Sequence, residues 1–193
     1  MTDHNALIAK LSERFRTLSA LMYDTGVDPA RVDAEIAPLL AEDVLFTDPW
    51  QQGKGRANYR LGAAGFHAMF RFTLDIAQVG VQLTDDGKEG RAIIEGVMNL
   101  RPFGPWYTYP LRTILIYDFV VTDADSTPPG ILIRAHEEMW SLAEMIAALP
   151  VTGWVYRRAF RPAFSRGFLV ASWLSARARG VLPDFRSLDR RNR

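Results

Sequence analysis

The chain of 193 residues is 48% hydrophobic and 23% charged with a formal net charge of +1, a composition that predicts a soluble globular protein with one sizeable core. Because it has no cysteine and only three histidines, disulfides and cysteine-ligated metals are excluded, and we predict neither a metal site nor a cofactor. It contains neither a run of about 18 apolar residues nor the charged-then-apolar layout of a secretory signal, so we predict a cytoplasmic protein.

The first third of the chain has the periodicity of three helices. The first has an apolar stripe at spacings of three and four residues, made of Leu7, Leu11, Phe15, Leu18 and Met22. Asp28 followed by Pro29 is typical of a helix N-cap, and it opens a second helix that we expect to end near Ala41. A third helix follows the polar loop 51–56, with Tyr59 and Phe66 on one face.

The segment LLAEDVLFTDPW, residues 39–50, leads from the apolar end of the second helix into a short strand from Val44 to Thr47. From Phe72 onward the chain has four β-rich runs divided by turns, the last of them ILIRAHEEMW at 131–140. Four successive strands favour a curved antiparallel sheet. Helices that precede such a sheet predict an α+β domain with the helices packed on one face.

This order of elements, with LLAEDVLFTDPW and the closing motif I-x-x-H-E-E-M-W-S, resembles the nuclear transport factor 2-like superfamily over roughly Leu7 to Leu149. The resemblance implies a cone-shaped α+β barrel around a pocket for a small hydrophobic molecule, and sheet-to-sheet pairing into a homodimer. The superfamily includes ketosteroid isomerases, polyketide cyclases of the SnoaL type, scytalone dehydratase, limonene epoxide hydrolase and many non-catalytic domains.

Asp48 is the first catalytic candidate that this resemblance implies. Ketosteroid isomerases carry an Asp-Pro at the end of this strand, and there the aspartate is the general base. That chemistry also needs a tyrosine on the first helix and a protonated acid nearby. Tyr23 does not fall in the expected register, and the third long strand has Leu115 and Ile116 where the acid is needed. The alternative is that Asp48, before a proline, closes a turn.

The end of the last predicted strand supplies two further catalytic candidates, His136 and Glu138. A period of two places four side chains on one face, namely Arg134, His136, Glu138 and Trp140. The resemblance to limonene epoxide hydrolase implies that Glu138 helps to activate water, with Arg112 as a partner if Arg112 points inward. In the alternative interpretation Arg134, His136 and Glu138 form the solvent face, and the core is filled by Ile131, Ile133, Ala135 and Met139. Glu137 is then the acid on the apolar face.

Further residues are candidates for contact with a ligand. Scytalone dehydratase-like chemistry implies histidines paired with an acid, which brings in His67 beside His136 and Asp48, although a single helical histidine is as compatible with packing. The aromatic segment 103–110 suits the mouth of a hydrophobic pocket or a dimer interface equally well. The predicted ligand-binding set is Trp50, His67, Trp106, Tyr107, Tyr109, Arg112 and Trp140.

The end of the chain differs in charge from the rest. Residues 151–193 contain ten arginines, no lysine and two aspartates, so they carry +8 and the rest of the chain carries −7. We therefore divide the chain into a cone domain, 1–149, and a basic helical extension, 150–193. Aromatic residues alternate with the arginines, which is typical of a helix at a membrane surface, and 155–179 is our candidate for such contact. Pro162 and Gly167 favour the alternative, packing on the body or on a partner subunit.

Three functions remain open at this point. The first is a pocket that binds a small hydrophobic molecule. The second is a cofactor-independent lyase, isomerase or hydrolase that uses Asp48 or Glu138 as general base. The third is a protein-interaction or membrane-surface module. Nucleic acid is not an expected partner, because the body is acidic and no basic groove accompanies the aromatic residues.

Overall fold

In the computed structural model of the protein, residues 4–49, 51–101 and 104–178 are described. The chain separates into two compact units, Met1–Glu144 and Met145–Arg193. Each unit is described by itself below. The predicted boundary after residue 149 remains a prediction.

Three helices open the first unit, as the periodicity predicts: α1 His4–Met22, α2 Pro29–Ile36 and α3 Arg56–Met69. The inward stripe of α1 buries Leu7, Leu11, Phe15, Ser19 and Met22. The Asp28 carboxylate accepts a hydrogen bond of 3.0 Å from the Ala30 N–H and so caps α2. The expected end of α2 near Ala41 is wrong: α2 stops at Ile36, and a 3-10 turn, Ala37–Leu39, follows. Pro38 explains the early end, because it cannot donate a helical hydrogen bond.

Six strands form one sheet in the order β2-β1-β6-β5-β4-β3. Their bounds are β1 Leu40–Thr47, β2 Gln52–Lys54, β3 Phe72–Leu83, β4 Glu89–Leu100, β5 Tyr109–Asp123 and β6 Gly130–Trp140. Strands β3 to β6 form the predicted antiparallel series. The sheet as a whole is mixed, however, since β1 pairs with β6 in parallel. A pattern of successive strands predicts hairpins but does not show which edge an earlier strand joins.

A β-bulge at Arg134 changes the phase of β6. Phe119 pairs with Ile133 and the adjacent Asp118 pairs with Ala135, so Arg134 is the extra residue. Before the bulge the buried residues have odd numbers, Ile131 and Ile133. After it, His136 is buried while Glu137 and Met139 are exposed. The predicted alternation with Ile131 and Ile133 in the core is therefore correct before the bulge. The predicted alternation that gives His136 and Glu138 a shared inward face is correct after it.

The core of the first unit lies between α1 and the inner face of the sheet. The ring of Phe15 lies 5.4 Å from that of Tyr117 and 4.8 Å from that of Phe119, both on β5. Leu111, Thr113, Leu115, Tyr117 and Phe119 alternate inward along β5, and all are buried. This face carries the polar residues described in the next subsection.

The second unit is helical in its described part. Its described helices are α5 Pro150–Val155 and α6 Arg161–Ala178, with a π-helical turn, Tyr156–Phe160, between them, and α4 Leu142–Ala148 begins before its first residue. The predicted helical extension is confirmed up to residue 178, and the residues after it lie outside the described part. Within the described residues, no helix is both long and apolar enough to cross a bilayer.

Candidate active site

Four polar side chains meet on the inner face of the sheet, and we call them the polar cluster: Tyr23, Tyr59, His136 and Glu138. Tyr23 follows the last residue of α1, Tyr59 is on the inward face of α3, and the other two are on β6 after the bulge. Tyr23 and Tyr59 are buried, and His136 is only 1% exposed. Glu138 is half-buried as a residue.

A chain of hydrogen bonds joins the cluster. Tyr59 Oη lies 2.7 Å from His136 Nδ1 and 3.3 Å from the Met22 sulfur. Tyr23 Oη lies 3.3 Å from His136 Nε2 and donates to one oxygen of Glu138. The other carboxylate oxygen accepts from the Trp140 indole N–H at 3.3 Å.

The hydrogen bonds of this chain can run in either of two opposite directions. When Glu138 is ionised, Tyr23 donates to it, His136 donates through Nε2–H to Tyr23, and Tyr59 donates to the free Nδ1. When Glu138 is protonated, it can donate to Tyr23, Tyr23 to Nε2, and Nδ1–H to Tyr59. Tyr59 then donates to the Met22 sulfur, a weak acceptor within reach. The cluster therefore accommodates either protonation state of Glu138 without an unpaired buried donor.

Burial keeps His136 neutral. Its surroundings lower the pKa of the imidazole from 6.5 to about 3, because the charged form loses its hydration. The ring of Tyr117, the cross-strand neighbour of His136 on β5, stacks on it with a centroid distance of 4.3 Å, and the ring of Phe46 meets it at 5.3 Å. A neutral imidazole has one donor and one acceptor, which is what the chain of hydrogen bonds requires.

Glu138 has the opposite shift. Its carboxyl pKa is raised from 4.5 to about 7. Burial is the main cause of the increase, the hydrogen bonds from Tyr23 and Trp140 lower the pKa, and the negative charge of Asp48 adds to the increase. Burial also raises the pKa values of Tyr23 and Tyr59 well above 10, so both hydroxyls keep their protons. At neutral pH the group that gains or loses a proton in this cluster is thus Glu138.

Asp48 lies just beyond the end of β1 and closes a turn. Its carboxylate accepts hydrogen bonds from the Gln51 backbone N–H at 2.8 Å and from the Gln51 side-chain amide at 3.0 Å. The backbone N–H of Asp48 donates to the Gln51 carbonyl at 2.9 Å. This is the turn-closing role that the sequence allows for it. Its link to the polar cluster is electrostatic, through its charge near Glu138.

The other predicted site residues divide between the inner face and the surface. His67 is buried, and its Nε2–H donates to the Met22 carbonyl at 2.7 Å, so it secures the end of α1 next to Tyr23. Arg112 is exposed on the outer face, because its strand neighbours Leu111 and Thr113 point inward, and it does not meet Glu138.

The remaining predicted ligand contacts are aromatic. Trp106 is 92% exposed, whereas Tyr107, Tyr109 and Trp140 are half-buried. Of these, Trp140 is hydrogen-bonded to the polar cluster. Trp50 lies outside the described residues. Glu137, the alternative acid of the sequence analysis, is exposed.

Sequence reasoning missed the tyrosines of this site. Tyr23 does not match the register that the resemblance to the isomerases implies, Tyr59 is predicted only as part of a helix face, and Tyr117 is given no role. A usable signal existed: three tyrosines on inward-facing positions need partners for their hydroxyls, and His136 and Glu138 are suitable partners.

A surface groove of about 460 Å³ lies beside the cluster, lined by residues 24–26, 71–73, Arg101 and Gly104. Phe72 lines it, and its ring centroid is 6.2 Å from that of Tyr23. Its charged lining residues are Arg71, Arg101 and Asp24. Among the described residues, no group of three or more His, Asp or Glu side chains has the arrangement of a metal site.

Solved structures show which fold this is. A proposed scytalone dehydratase from Novosphingobium aromaticivorans is similar with a TM-score of 0.54 at 16% identity, over 74% of this chain and 89% of that one. Nuclear transport factor 2 from Cryptosporidium parvum is similar with a TM-score of 0.52 at 14% identity, over 69% of this chain and 94% of that one. No protein-family model matches the sequence, and no curated protein is significantly similar to it.

These likenesses confirm the predicted fold class. The chain has the nuclear transport factor 2-like α+β fold, with helices packed on a curved sheet. The sheet is six-stranded and open, with β2 and β3 at its edges. At these identities the likeness shows the fold and leaves the reaction to be argued from the site.

Proposed function

We propose that this protein, on its nuclear transport factor 2-like fold, is a cofactor-independent enzyme that binds a small, largely apolar molecule and moves a proton on it with Glu138. The observation that carries the proposal is the carboxyl group of Glu138, which has a pKa of about 7 and is hydrogen-bonded to Tyr23. A general base or acid works best when its pKa is near the working pH, and an ordinary surface glutamate does not meet this condition.

The chemistry within reach of one such carboxylate is isomerisation or dehydration. Glu138 removes a proton from a carbon next to a carbonyl group, and the electron pair of the C–H bond forms an enolate. The proton then returns to another carbon, which gives an isomer, or goes to a leaving hydroxyl, which departs as water. Both routes restore Glu138 and need no redox partner.

The rest of the cluster supports this change of protonation. Tyr23 stabilises the ionised carboxylate by donating to it, and His136 and Tyr59 can reverse their hydrogen bonds when the carboxyl is protonated. Reversal avoids a buried unpaired group, which costs roughly 1–3 kcal/mol. Asp48, proposed from the sequence as a base, acts here through its charge, which raises the pKa of Glu138.

The name of one structural neighbour agrees with dehydration, since that protein is a proposed scytalone dehydratase. Its 16% identity supports the fold and not a shared substrate. We propose that a small molecule enters from the groove lined by Phe72, whose ring centroid is 6.2 Å from that of Tyr23.

The test begins with the ligand. Native mass spectrometry of protein purified from its own host, with organic extraction, identifies what is bound and also reports whether the protein is the homodimer that we propose. The extracted molecule and its relatives are then assayed for turnover. We expect Glu138→Gln to lower kcat by about 10²–10⁴-fold, the range of a lost general base.

Glu137→Gln is the matched control, because Glu137 is the next residue of β6 and is exposed. Its kcat should equal that of the wild type. Full activity in Glu138→Gln would overturn the proposal. A ligand that binds tightly and is released unchanged by every variant would instead assign the protein as a carrier.

A further inference from the structure

The described part of the second unit exposes an unusual amount of apolar surface. We call residues 145–178 the arginine-rich segment. Its large apolar side chains are exposed by 41–77%, and they are Ile146, Leu149, Val151, Trp154, Val155, Phe160, Phe164, Phe168, Leu169, Val170, Trp173 and Leu174. Scattered apolar residues on a surface are normal, but twelve exposed large ones within one helical segment indicate an interaction site.

The charge of the same segment has one sign. It contains five arginines and no aspartate or glutamate. The side chains of Arg157, Arg158, Arg161 and Arg166 are exposed between the apolar residues. We propose that the arginine-rich segment binds the surface of membranes that contain anionic lipids.

The aromatic residues suit an interface between lipid and water. The rings of Tyr156, Phe160 and Phe164 stack at successive intervals of four residues, with centroid distances of 5.5 and 5.9 Å. Trp154 and Trp173 lie near the two ends of the segment and are both exposed. Tryptophan is enriched at the level of lipid headgroups, because its ring has an apolar body and a polar N–H.

Charge favours lipid over a second copy of this chain. A second copy of the segment would bring like charges together, which opposes pairing, while anionic headgroups neutralise them. Arginine can extend its head to the phosphates while its stem covers apolar surface.

The helix is also continuous where the sequence suggested a break. Pro162 and Gly167 favoured packing on protein in the sequence analysis, yet α6 runs from Arg161 to Ala178 through both. Pro162 directly follows the π-helical turn, in which the Arg161 N–H donates to the Tyr156 carbonyl, so the chain is helical on both sides of the proline. Since no described helix can span a bilayer, the contact that we propose is at the surface.

The experiment is co-sedimentation of the full chain with phosphatidylcholine vesicles, with and without phosphatidylglycerol. We expect binding only when phosphatidylglycerol is present, and loss of binding at high salt. Arg158→Gln with Arg161→Gln should weaken it about thirtyfold, and Phe164→Ser with Phe168→Ser at least about tenfold. Circular dichroism checks that each variant stays folded.

Matched controls lie in the first unit. Leu61→Ser removes an apolar side chain that is 74% exposed on α3, and Lys10→Gln removes an exposed charge on α1; neither should change vesicle binding. No binding to phosphatidylglycerol vesicles, or equal binding to neutral ones, overturns the proposal. Concentration-dependent self-association that Phe164→Ser with Phe168→Ser abolishes, without lipid binding, would assign the surface to a second copy.

Discussion

Glu138 takes up a proton more readily in the folded protein than in the unfolded chain, because its pKa is about 7 against 4.5. Its favourable contribution to stability is fully present below pH 4.5 and is lost as the pH rises through 7. Glu138→Gln cannot ionise, so its free energy of unfolding should not show this loss. Relative to the wild type, the free energy of unfolding of the variant should rise between pH 4.5 and just above pH 7, by at most about 3 kcal/mol because Glu138 is partly exposed.

Urea unfolding at a series of pH values measures that difference, and Glu137→Gln serves again as the control. If the difference in free energy of unfolding between Glu138→Gln and the wild type does not change with pH, the pKa of Glu138 is not raised. If the advantage of the variant increases as the pH falls, the pKa is shifted in the opposite direction.

Asp48 has a testable effect on its neighbour. Its negative charge is a smaller cause of the raised Glu138 pKa than burial is. We expect Asp48→Asn to lower the Glu138 pKa, while the asparagine oxygen still accepts from the Gln51 N–H. Carboxyl NMR titration follows the pKa directly, and the acid limb of a pH–rate profile should move to lower pH. An unchanged titration would show that Asp48 serves the turn alone.

At this scale the sequence predicted half of the cluster. Glu138 and His136 follow from the polar character of the strand end and from the resemblance. Tyr23 and Tyr59 do not, because they come from two helices whose approach to β6 depends on tertiary packing. A residue's chemistry is visible in one sequence, whereas its neighbours across the core are not.

Among the elements, β6 is interrupted by a single extra residue. Deletion of Arg134 removes the bulge but leaves each later residue opposite its present partner on β5, so that His136 still pairs with Tyr117 and still faces inward. We therefore expect the deletion to keep the polar cluster and to lower the free energy of unfolding by no more than about 3 kcal/mol, because only the local geometry of the strand changes.

Arg134→Ala separates the loss of the extra backbone residue from the loss of its side chain. It keeps the extra residue and removes only an exposed ion pair of 2.8 Å with Glu89, which is worth at most about 1 kcal/mol. Denaturant midpoints of the two variants compare them directly. A midpoint of the deletion variant far below that of Arg134→Ala would mean that the residues after the bulge have changed face.

The periodicity of the sequence predicted every long strand and helix of the first unit, but not the bulge or the parallel pairing. A bulge needs one additional residue and has no fixed composition, so a strand prediction based on a strict period of two does not detect it. Pairing between β1 and β6 joins segments from the two ends of the unit, and local patterns contain no information about it.

For the whole molecule, the two buried ionisable residues of β6 act on stability in opposite directions. The pKa of His136 falls from 6.5 to about 3 on folding, so its favourable contribution is complete above pH 6.5 and is lost as the pH falls toward 3. Together with Glu138 it predicts a stability maximum between about pH 4.5 and 7.

Thermal unfolding across pH tests this maximum. His136→Gln keeps a donor and an acceptor but cannot ionise, so the decline of its Tm on the acid side should be shallower than that of the wild type. A parallel decline in both proteins would show that other groups cause the acid limb.

The parallel contact between β1 and β6 has a consequence for the way the chain folds. Leu45 pairs with Ala135 across a long stretch of sequence, whereas the strands from β3 to β6 pair with their immediate successors. Closing a long loop costs more entropy, so we expect the antiparallel series to form first and β1 to join it afterwards. Until then the edge of β6 is unpaired. A chain that refolds slowly can pair there with strands of other molecules, so we expect aggregation to begin at this edge.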